Sequence, residues 1–281
     1  MTNWNDWLLG NELPIRLSFF FGIFVLIALW EIHSPRRQLT VSKGVRWINN
    51  LGLVMLNTAV LRLLFPAAAV GAAAIAQEQG WGALNNFALP LPLATFIAVV
   101  AMDLVIYLQH VMVHAIPLLW RLHRVHHADL DYDVTTGARF HTVEIILSML
   151  IKMATITLLG PPVVAVVIFE VLLNATAMFN HGNISIPEKL DRVLRIFVVT
   201  PDMHRVHHSV HAPLANSNFG FNLPWWDRLF GTYVAQPPEG HVAMEIGLNE
   251  FRDPQQVDRL PGMLMLPFAS QLGEYTINRR W

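Results

Sequence analysis

The stretch His110–His127, HVMVHAIPLLWRLHRVHH, holds two histidine clusters on which the interpretation of the whole chain depends. A third cluster at residues 204–208, HRVHH, has the HxxHH spacing already present at residues 123–127. About 0.03 copies of HxxHH are expected by chance at this histidine content, so two copies indicate a selected pattern. The three clusters contain eight of the 13 histidines, namely His110, His114, His123, His126, His127, His204, His207 and His208.

The spacing within each cluster directs its imidazoles to one side of a helix. Residues at i and i+4, or at i, i+3 and i+4, share one helix face. Neutral imidazole is a common ligand of iron, zinc and copper, and eight imidazoles are more than one ion accepts. The clusters therefore indicate two metal ions or two separate metal sites.

The composition predicts an all-α integral membrane protein. Of the 281 residues 54% are hydrophobic and only 14% are charged, and the mean hydropathy is positive. The net charge of −1 gives no reason to expect nucleic-acid binding. Because cysteine is absent, disulfides, Cys-ligated iron–sulfur clusters and thiol nucleophiles are excluded. No linker divides the sequence, so we predict a single membrane-embedded domain over residues 1–281.

About three transmembrane helices are predicted within residues 13–115. The apolar segments are 17–30, 51–76 and 93–115. Arg62 and Pro66 interrupt the second segment, which either crosses with a kink or ends in an interfacial helix.

The charges in the loops orient these segments. Four cations follow the first segment, and the positive-inside tendency assigns them to the cytoplasm: Arg36, Arg37, Lys43 and Arg46. The loop 77–92 contains no Lys or Arg and is expected on the outside. The histidine clusters therefore belong to the cytoplasmic side.

Residues 145–179 are predicted to form a membrane hairpin. Gly160-Pro161-Pro162 separates two apolar runs that are short for a full crossing, so the hairpin is expected to dip in from the cytoplasmic side and return. The segments 116–144 and 180–235 then form cytoplasmic metal-site regions, a histidine-rich helical cap. Residues 236–281 form a C-terminal tail.

Further polar residues accompany the clusters. Asp103, Tyr107, His110 and His114 follow one another at spacings of four, three and four, and so share one face of the third helix. We expect Asp103 to accept the second N–H of His110, with a purely structural polar contact as the alternative. His141 is either a metal ligand or an interfacial hydrogen-bonding residue.

These motifs, in this order, resemble the fatty acid hydroxylase superfamily, often called the sterol desaturase family. The resemblance covers about residues 95 to 235, and Thr142 departs from it because many members have Pro there. Besides the clusters, it rests on Asp103-x-x-x-Tyr107, Arg139-Phe140-His141 ahead of Glu144, NHGN at 180–183, NFG at 218–220 and WDRLFGTY at 226–233.

The resemblance implies a membrane di-iron enzyme that uses O2 to hydroxylate or desaturate a lipid C–H bond, with hydroxylation favoured. The substrate would be a fatty acyl chain or a sterol-like lipid, and electrons would come from an external ferredoxin or cytochrome. Two iron ions are expected, and zinc could misload the site. The implied metal ligands are His110, His114, His123, His126, His127, His141, His181, His204, His207 and His208. The implied residues around these ligands are Asp103, Tyr107, Glu144 and Asn180.

Two other classes of protein, and histidines that bind no metal, are the alternatives to this interpretation. A zinc-dependent membrane hydrolase would use three ligands and a general base, as in HExxH, and that motif is absent. A metal transporter would place its ligands at mid-bilayer on discontinuous helices. Histidines without any metal would be costly to desolvate. The lack of retention or transit signals fits a bacterial inner membrane.

Overall fold

The computed structural model describes residues 4–277, which form helices and connecting loops. Within these residues there is no β-strand, only three isolated bridges. This agrees with the predicted all-α class. The helices are α1 (Trp4–His33), α2 (Lys43–Leu64), α3 (Ala68–Glu78), α4 (Leu91–Ala115), α5 (Pro117–His127), α6 (Thr142–Leu159), α7 (Val163–Asn180), α8 (Glu188–Leu194), α9 (Pro201–His207), α10 (Ala212–Ala215), α11 (Trp225–Phe230), α12 (Gly240–Ala243), α13 (Pro254–Val257) and α14 (Leu260–Met265).

The described chain contains five helical stretches that are long and apolar enough to cross a membrane. This confirms the predicted integral membrane protein. The sequence predicted about three spans plus a hairpin. Each arm of that hairpin is itself long and apolar enough to be a membrane span. The stretches are Trp7–His33, Lys43–Asn86, Leu91–Ala115, Thr142–Leu159 and Val163–Asn180.

Helix α7 lies at the centre of the bundle and packs against α1, α3 and α4. Half of its apolar window is buried inside the protein, compared with 6% for α1. Its buried face combines small residues such as Ala165 and Ala177 with larger ones, and Phe169 belongs to the same buried apolar cluster as Met102 and Ile106 of α4. Small residues allow helix backbones to approach closely when lipid provides no hydrophobic driving force. Helix α7 therefore holds the other spans in register.

The second apolar segment divides into two helices. α2 ends at Leu64 because Pro66 cannot continue it, and α3 follows at once. Ala69, Ala73 and Ala76 of α3 are completely buried against α6 and α7. The sequence left a kinked crossing and an interfacial helix as alternatives, and the structure shows a separate short helix packed inside the bundle.

The predicted hairpin consists of α6 and α7. It turns at Gly160, which has a φ of 64° and could not carry a side chain without meeting the backbone around Trp81. Trp81 belongs to the loop between α3 and α4, at the end of the bundle opposite the histidines. The arms therefore run the length of the bundle instead of dipping part-way into it. Both arms begin or end at the histidine clusters, as the sequence predicted.

The histidine-rich cap is covered by the C-terminal part of the chain. Trp120 of α5 is fully buried and stacks on Tyr275. Arg124 donates hydrogen bonds to the backbone carbonyls of Leu266 and Ala269 at 2.5 and 2.9 Å. The described part of the predicted tail is thus packed against α5. Its backbone carbonyls accept the hydrogen bonds that Arg124 donates.

Candidate metal centre

Three helices carry the three histidine clusters, and their starts have local causes. α4 carries His110 and His114 in its last two turns. Pro117 occupies the first position of α5, which carries the second cluster. Thr200 caps α9 by accepting the N–H of Met203, and this helix carries the third cluster.

Nine histidines meet at the C-terminal end of α4, where the sequence predicted the metal region. They form two adjoining groups. Within each group, every histidine contributes one ring nitrogen, and all of these nitrogens lie within 4.8 Å of one another. All nine side chains are buried. The five-histidine group comprises His110, His114, His123, His127 and His207, and the four-histidine group comprises His126, His181, His204 and His208.

The ring orientations show which nitrogen faces inward. In the five-histidine group His110 and His207 donate Nδ1–H to the carbonyls of Phe219 and Ser217, at 2.8 and 2.7 Å. A carbonyl oxygen can only accept, so in these neutral rings Nε2 carries the lone pair. The two Nε2 atoms nevertheless lie 2.9 Å apart.

The four-histidine group contains an equivalent pair. His126 and His181 donate Nδ1–H to the carbonyls of Arg139 and Ala177, at 3.3 and 2.8 Å. Their Nε2 atoms are 3.1 Å apart. Two lone pairs that face each other without a proton between them repel, and a cation bound by both removes the repulsion. The five-histidine group contains one more close contact, between the Nε2 atoms of His114 and His127 at 3.2 Å. Both groups thus present facing ring nitrogens, which fits a metal ion in each group.

Burial of further ring nitrogens supports the same assignment. Both ring nitrogens of His204 and of His208 are buried without a hydrogen-bond partner, as is Nε2 of His123. Unpaired buried polar atoms cost free energy, which metal coordination would recover. Neutral imidazole nitrogens suit iron, zinc and copper.

Four of the grouped histidines outside the membrane spans have a lowered pKa, which favours their neutral form. Burial lowers the pKa of His126, His204 and His207 well below the usual value, and the neighbouring imidazoles lower it further. Burial also lowers the pKa of His181 to about 3. Neutral imidazole is the metal-binding form, so the site is ready to bind a cation at neutral pH.

Glu144 lies where a residue that orients a ligand is expected. Its Oε1 atom accepts the Nδ1–H of His123 at 2.6 Å, and both side chains are buried. A carboxylate in this position fixes the ring and increases the basicity of Nε2.

Asp103 has a different role from the expected one. The N–H of His110 goes to the Phe219 carbonyl, whereas Asp103 accepts hydrogen bonds from the Trp226 indole at 2.8 Å and from the backbone of Asn222 and Leu223 at 3.3 Å. The shared helix face did bring Asp103 near the cluster. Its partners, however, come from a segment more than 100 residues later, which spacing alone does not place.

Tyr107 and Asn180 also act on the backbone around the histidines. The Tyr107 hydroxyl is 2.9 Å from the hydroxyl of Thr232, and its ring packs edge-on against Phe219. The Asn180 amide donates to the carbonyl of Phe221 at 2.9 Å. These contacts fix the loop that presents the Phe219 carbonyl to His110.

His141 lies outside both histidine groups. It is the N-cap of α6, and its Nδ1 accepts the backbone N–H of Val143 at 3.2 Å. Burial lowers the pKa of His141. Of the ten histidines that the sequence nominated as ligands, the structure brings together the other nine.

Apart from Glu144, sequence reasoning missed the acceptors that orient the rings. Most are backbone carbonyls, for which the side-chain sequence carries no direct signal. The exception is Asn216, whose Oδ1 lies 3.1 Å from Nδ1 of His114. The carboxylate of Asp227 accepts the N–H groups of Phe219 and Gly220, both at 2.8 Å, and so positions the Phe219 carbonyl. The NFG and WDR motifs were the available signal for this loop.

A buried ionic network supports the loop after α5. Arg46 of α2 is fully buried and pairs with Asp129 and Asp133, each at 2.6 Å. Asp129 follows the second histidine cluster by two residues. Burial raises the pKa of Asp129, but Arg46 and Arg139 outweigh this and lower the pKa to about 2. The network therefore fixes the Arg139 carbonyl that accepts from His126.

A cavity of about 300 Å³ lies beside the histidines, among α1, α2, α4, α6 and α7. His110, His123 and His126 line one end of it, and apolar side chains provide much of the remaining surface, with polar side chains such as Gln109 and Ser148 among them. A cavity that combines apolar walls with placed polar groups is typical of a small-molecule site. The apolar wall residues include Phe20, Leu61, Ile106, Val113, Met149 and Leu173.

Comparison with known proteins gives consistent matches. A family model described as fatty acid hydroxylase matches residues 95–232. The ornithine lipid hydroxylase OlsE of Rhizobium tropici is 24% identical over 226 residues, which cover 78% of this chain and 66% of that protein. The alkylglycerol monooxygenase of Xenopus tropicalis is 26% identical over 74% of this chain and 46% of that protein. The alkylglycerol monooxygenase of Homo sapiens is also 26% identical, over 61% of this chain and 38% of that protein.

The matched region is shorter than these relatives. It spans just under two thirds of the first and less than half of the other two. No solved structure matches the chain. The family model nevertheless covers the histidine clusters on α4, α5 and α9 together with most of the loops that orient them. Over residues 95–232, just under half of its length, the chain matches the fatty acid hydroxylase family.

Proposed function

We propose that this protein is a membrane oxygenase that uses O2 to hydroxylate a C–H bond of a lipid. The observation that carries the proposal is the pair of adjoining histidine groups beside an apolar cavity within the membrane-spanning helices. The relatives described as ornithine lipid hydroxylase and alkylglycerol monooxygenase support the same reaction class.

We propose iron as the metal, with one ion in each histidine group. The nine grouped histidines would hold the two ions, with His141 outside their coordination. Bound iron supplies the activation of O2, which no side chain of the chain provides. Nitrogen ligands are compatible with iron, and the presence of facing Nε2 atoms in both groups supports one ion in each.

The chain's own residues prepare the site. Carbonyls and Glu144 fix the rings, so that little reorganisation accompanies metal binding. Apolar side chains in the cavity exclude water and hold a hydrocarbon chain beside the histidines. The substrate class that fits is a fatty acyl or other alkyl chain of a lipid.

Hydroxylation of a C–H bond by O2 also consumes two electrons and two protons, with water as the second product. We propose an external ferredoxin or cytochrome as the electron donor. Lys189, Arg192 and Arg228 are exposed on the cap and would complement an acidic carrier. The proposed location is a bacterial inner membrane with the histidine groups on the cytoplasmic side, where the cations after α1 also lie.

The first experiment is metal analysis of protein purified after expression with ample iron, combined with Mössbauer spectroscopy. We expect two irons per chain and the signature of a coupled pair. Lipid extracts of cells with and without the protein should then differ by the mass of one oxygen atom in one lipid class. If two zincs are found and iron reconstitution gives no O2 consumption with any donor, a hydrolase becomes the better description.

A further inference from the structure

Three membrane-spanning helices each direct one charged side chain into the same cavity. Arg16 comes from α1, Lys152 from α6 and Glu170 from α7. Arg16 Nη1 lies 2.9 Å from one oxygen of Glu170, and Lys152 Nζ lies 2.8 Å from the other. The side chains of Glu170, Lys152 and Arg16 are 3%, 12% and 29% exposed, so this charged triad opens outward on the Arg16 side.

The charged triad lies far from the histidines along the helix axes. Lys152 is eight residues from Glu144, which contacts His123, and Glu170 is seven residues from Ala177, which contacts His181. At 1.5 Å per residue these separations are about 10 to 12 Å. The cavity thus has histidines at one end and ionic groups at the other, and the wall between them combines apolar side chains with polar ones such as Ser148 and Asn174.

The triad carries more hydrogen-bond donors than its own carboxylate can use. A guanidinium and an ammonium together provide eight N–H groups, whereas Glu170 offers two oxygens. Glu12, one turn before Arg16 on α1, is the other carboxylate in contact, at 3.1 Å. Two cations and one carboxylate line the cavity at this end, and Glu12, which does not line it, balances the second cation. The network is therefore neutral as a whole, and what the cavity meets at this end is a surplus of N–H donors. Charged groups inside membrane spans are costly and serve functions by default.

We propose that Arg16, Lys152 and Glu170 form a binding site for the oxyanion end of a lipid, a carboxylate or a phosphate. The hydrocarbon chain of this lipid extends along the apolar part of the wall toward the histidines. This inference deepens the proposed function and rests on it for the identity of the reacting end. Glu170 holds the two cations in place in the absence of ligand, and it competes with the ligand oxyanion for them.

Three probes of equal chain length measure this site in purified protein in zwitterionic nanodiscs. Dodecanoate carries a carboxylate, dodecyl phosphate carries a phosphate, and methyl dodecanoate carries neither charge. We expect one or both anionic probes to bind about tenfold more tightly than the ester, the effect of one charge-assisted hydrogen bond. A preference for dodecanoate identifies a carboxylate lipid, and a preference for dodecyl phosphate identifies a phosphate lipid.

Two variants move the affinity in opposite directions. Arg16→Met should weaken binding of the anionic probe about tenfold and leave ester binding unchanged. Glu170→Gln removes the internal competitor and should tighten binding of the same probe. If the ion triad were purely structural, neither variant would bind the anionic probe more tightly than the unaltered protein does. Arg62→Met is the matched control, because Arg62 is an exposed arginine of α2 that does not line the cavity.

The outcomes separate this inference from the proposed function. Equal binding of all three probes by the unaltered protein overturns the inference, and so does loss of all three probes together in Arg16→Met. Thermal unfolding of each variant identifies misfolded protein, and Glu170→Gln then decides by the direction of its effect. Metal content and O2 consumption test the proposed function independently, because probe binding is measured without turnover.

Discussion

The residues of this site have three roles. Some are proposed metal ligands, some orient those ligands, and some support the loops around them. The nine grouped histidines differ from His141 in that their free nitrogens point at one another. In His141, by contrast, Nδ1 accepts the backbone N–H of Val143 and so caps α6. This difference makes His141 an internal control for the ligands.

At this scale we expect His207→Ala to lose metal and His141→Ala to keep it. His207 is one member of the closest Nε2 pair, whereas His141 belongs to neither group. Elemental analysis of the purified variants should give fewer than two metals per chain for His207→Ala and two for His141→Ala. Two metals and full activity in His207→Ala would contradict the assignment of the five-histidine group.

Glu144 and Asp103 give a second contrast between residues. Glu144→Gln should weaken metal affinity roughly 10- to 100-fold, because a carboxylate that accepts from His123 is replaced by a neutral amide. Asp103→Asn should leave metal affinity unchanged and lower the thermal stability by about 1–3 kcal/mol, since Asp103 holds the loop around Trp226. Metal titration and thermal unfolding of both variants measure the two effects. A drop in metal affinity for Asp103→Asn alone would restore the role that the sequence suggested.

At the scale of elements, the buried pair of Arg46 with Asp129 and Asp133 joins α2 to the loop after α5. This loop carries the Arg139 carbonyl that orients His126. The element that carries the second cluster therefore depends on a helix more than 70 residues earlier. Removing one partner leaves buried charges without compensation, which is more damaging than removing an exposed pair.

We expect Arg46→Met to destabilise the protein by about 3–5 kcal/mol. Arg192→Met is the control and should change the stability by less than about 1 kcal/mol, because its pair with Glu188 is exposed. Denaturant unfolding in a defined detergent measures both. Since the Asp129 pKa is lowered to about 2 in the folded state, its contribution is complete above the unfolded pKa of about 4 and disappears as the pH falls toward 2. Equal stability of the two variants would refute the structural role of the network.

At the scale of the whole molecule, the two ends of the bundle have different characters. One end carries the histidine groups and the packed cap, and the other carries the loop beside Trp81 and the turn at Gly160. The α6–α7 hairpin connects these ends. Placing the histidine end in the cytoplasm therefore places the Gly160 turn on the opposite side.

This topology predicts the labelling of single cysteines introduced into the cysteine-free chain. Gln79→Cys and Glu188→Cys lie at exposed positions on the opposite ends of the bundle. In intact cells of a bacterial host, a membrane-impermeant maleimide should label Gln79→Cys, and Glu188→Cys should react only after the cells are opened. Labelling of both from outside would exclude a cytoplasmic cap.

The sequence alone determined the features that depend on neighbouring residues. Histidine spacing and hydropathy predicted the clusters, the helical class and the membrane location, and Gly160-Pro161-Pro162 marked the turn between two apolar helices. These follow from local backbone geometry and composition, so they can be derived one helix at a time.

Only the tertiary structure decided which groups meet. It divided nine histidines into two groups, gave Asp103 to the loop near Trp226 instead of to His110, and joined Arg16 to Glu170 across the cavity. The physical reason is that such contacts join residues separated by tens to hundreds of positions. Their geometry is fixed by the packing of whole helices around α7, and no local pattern encodes it.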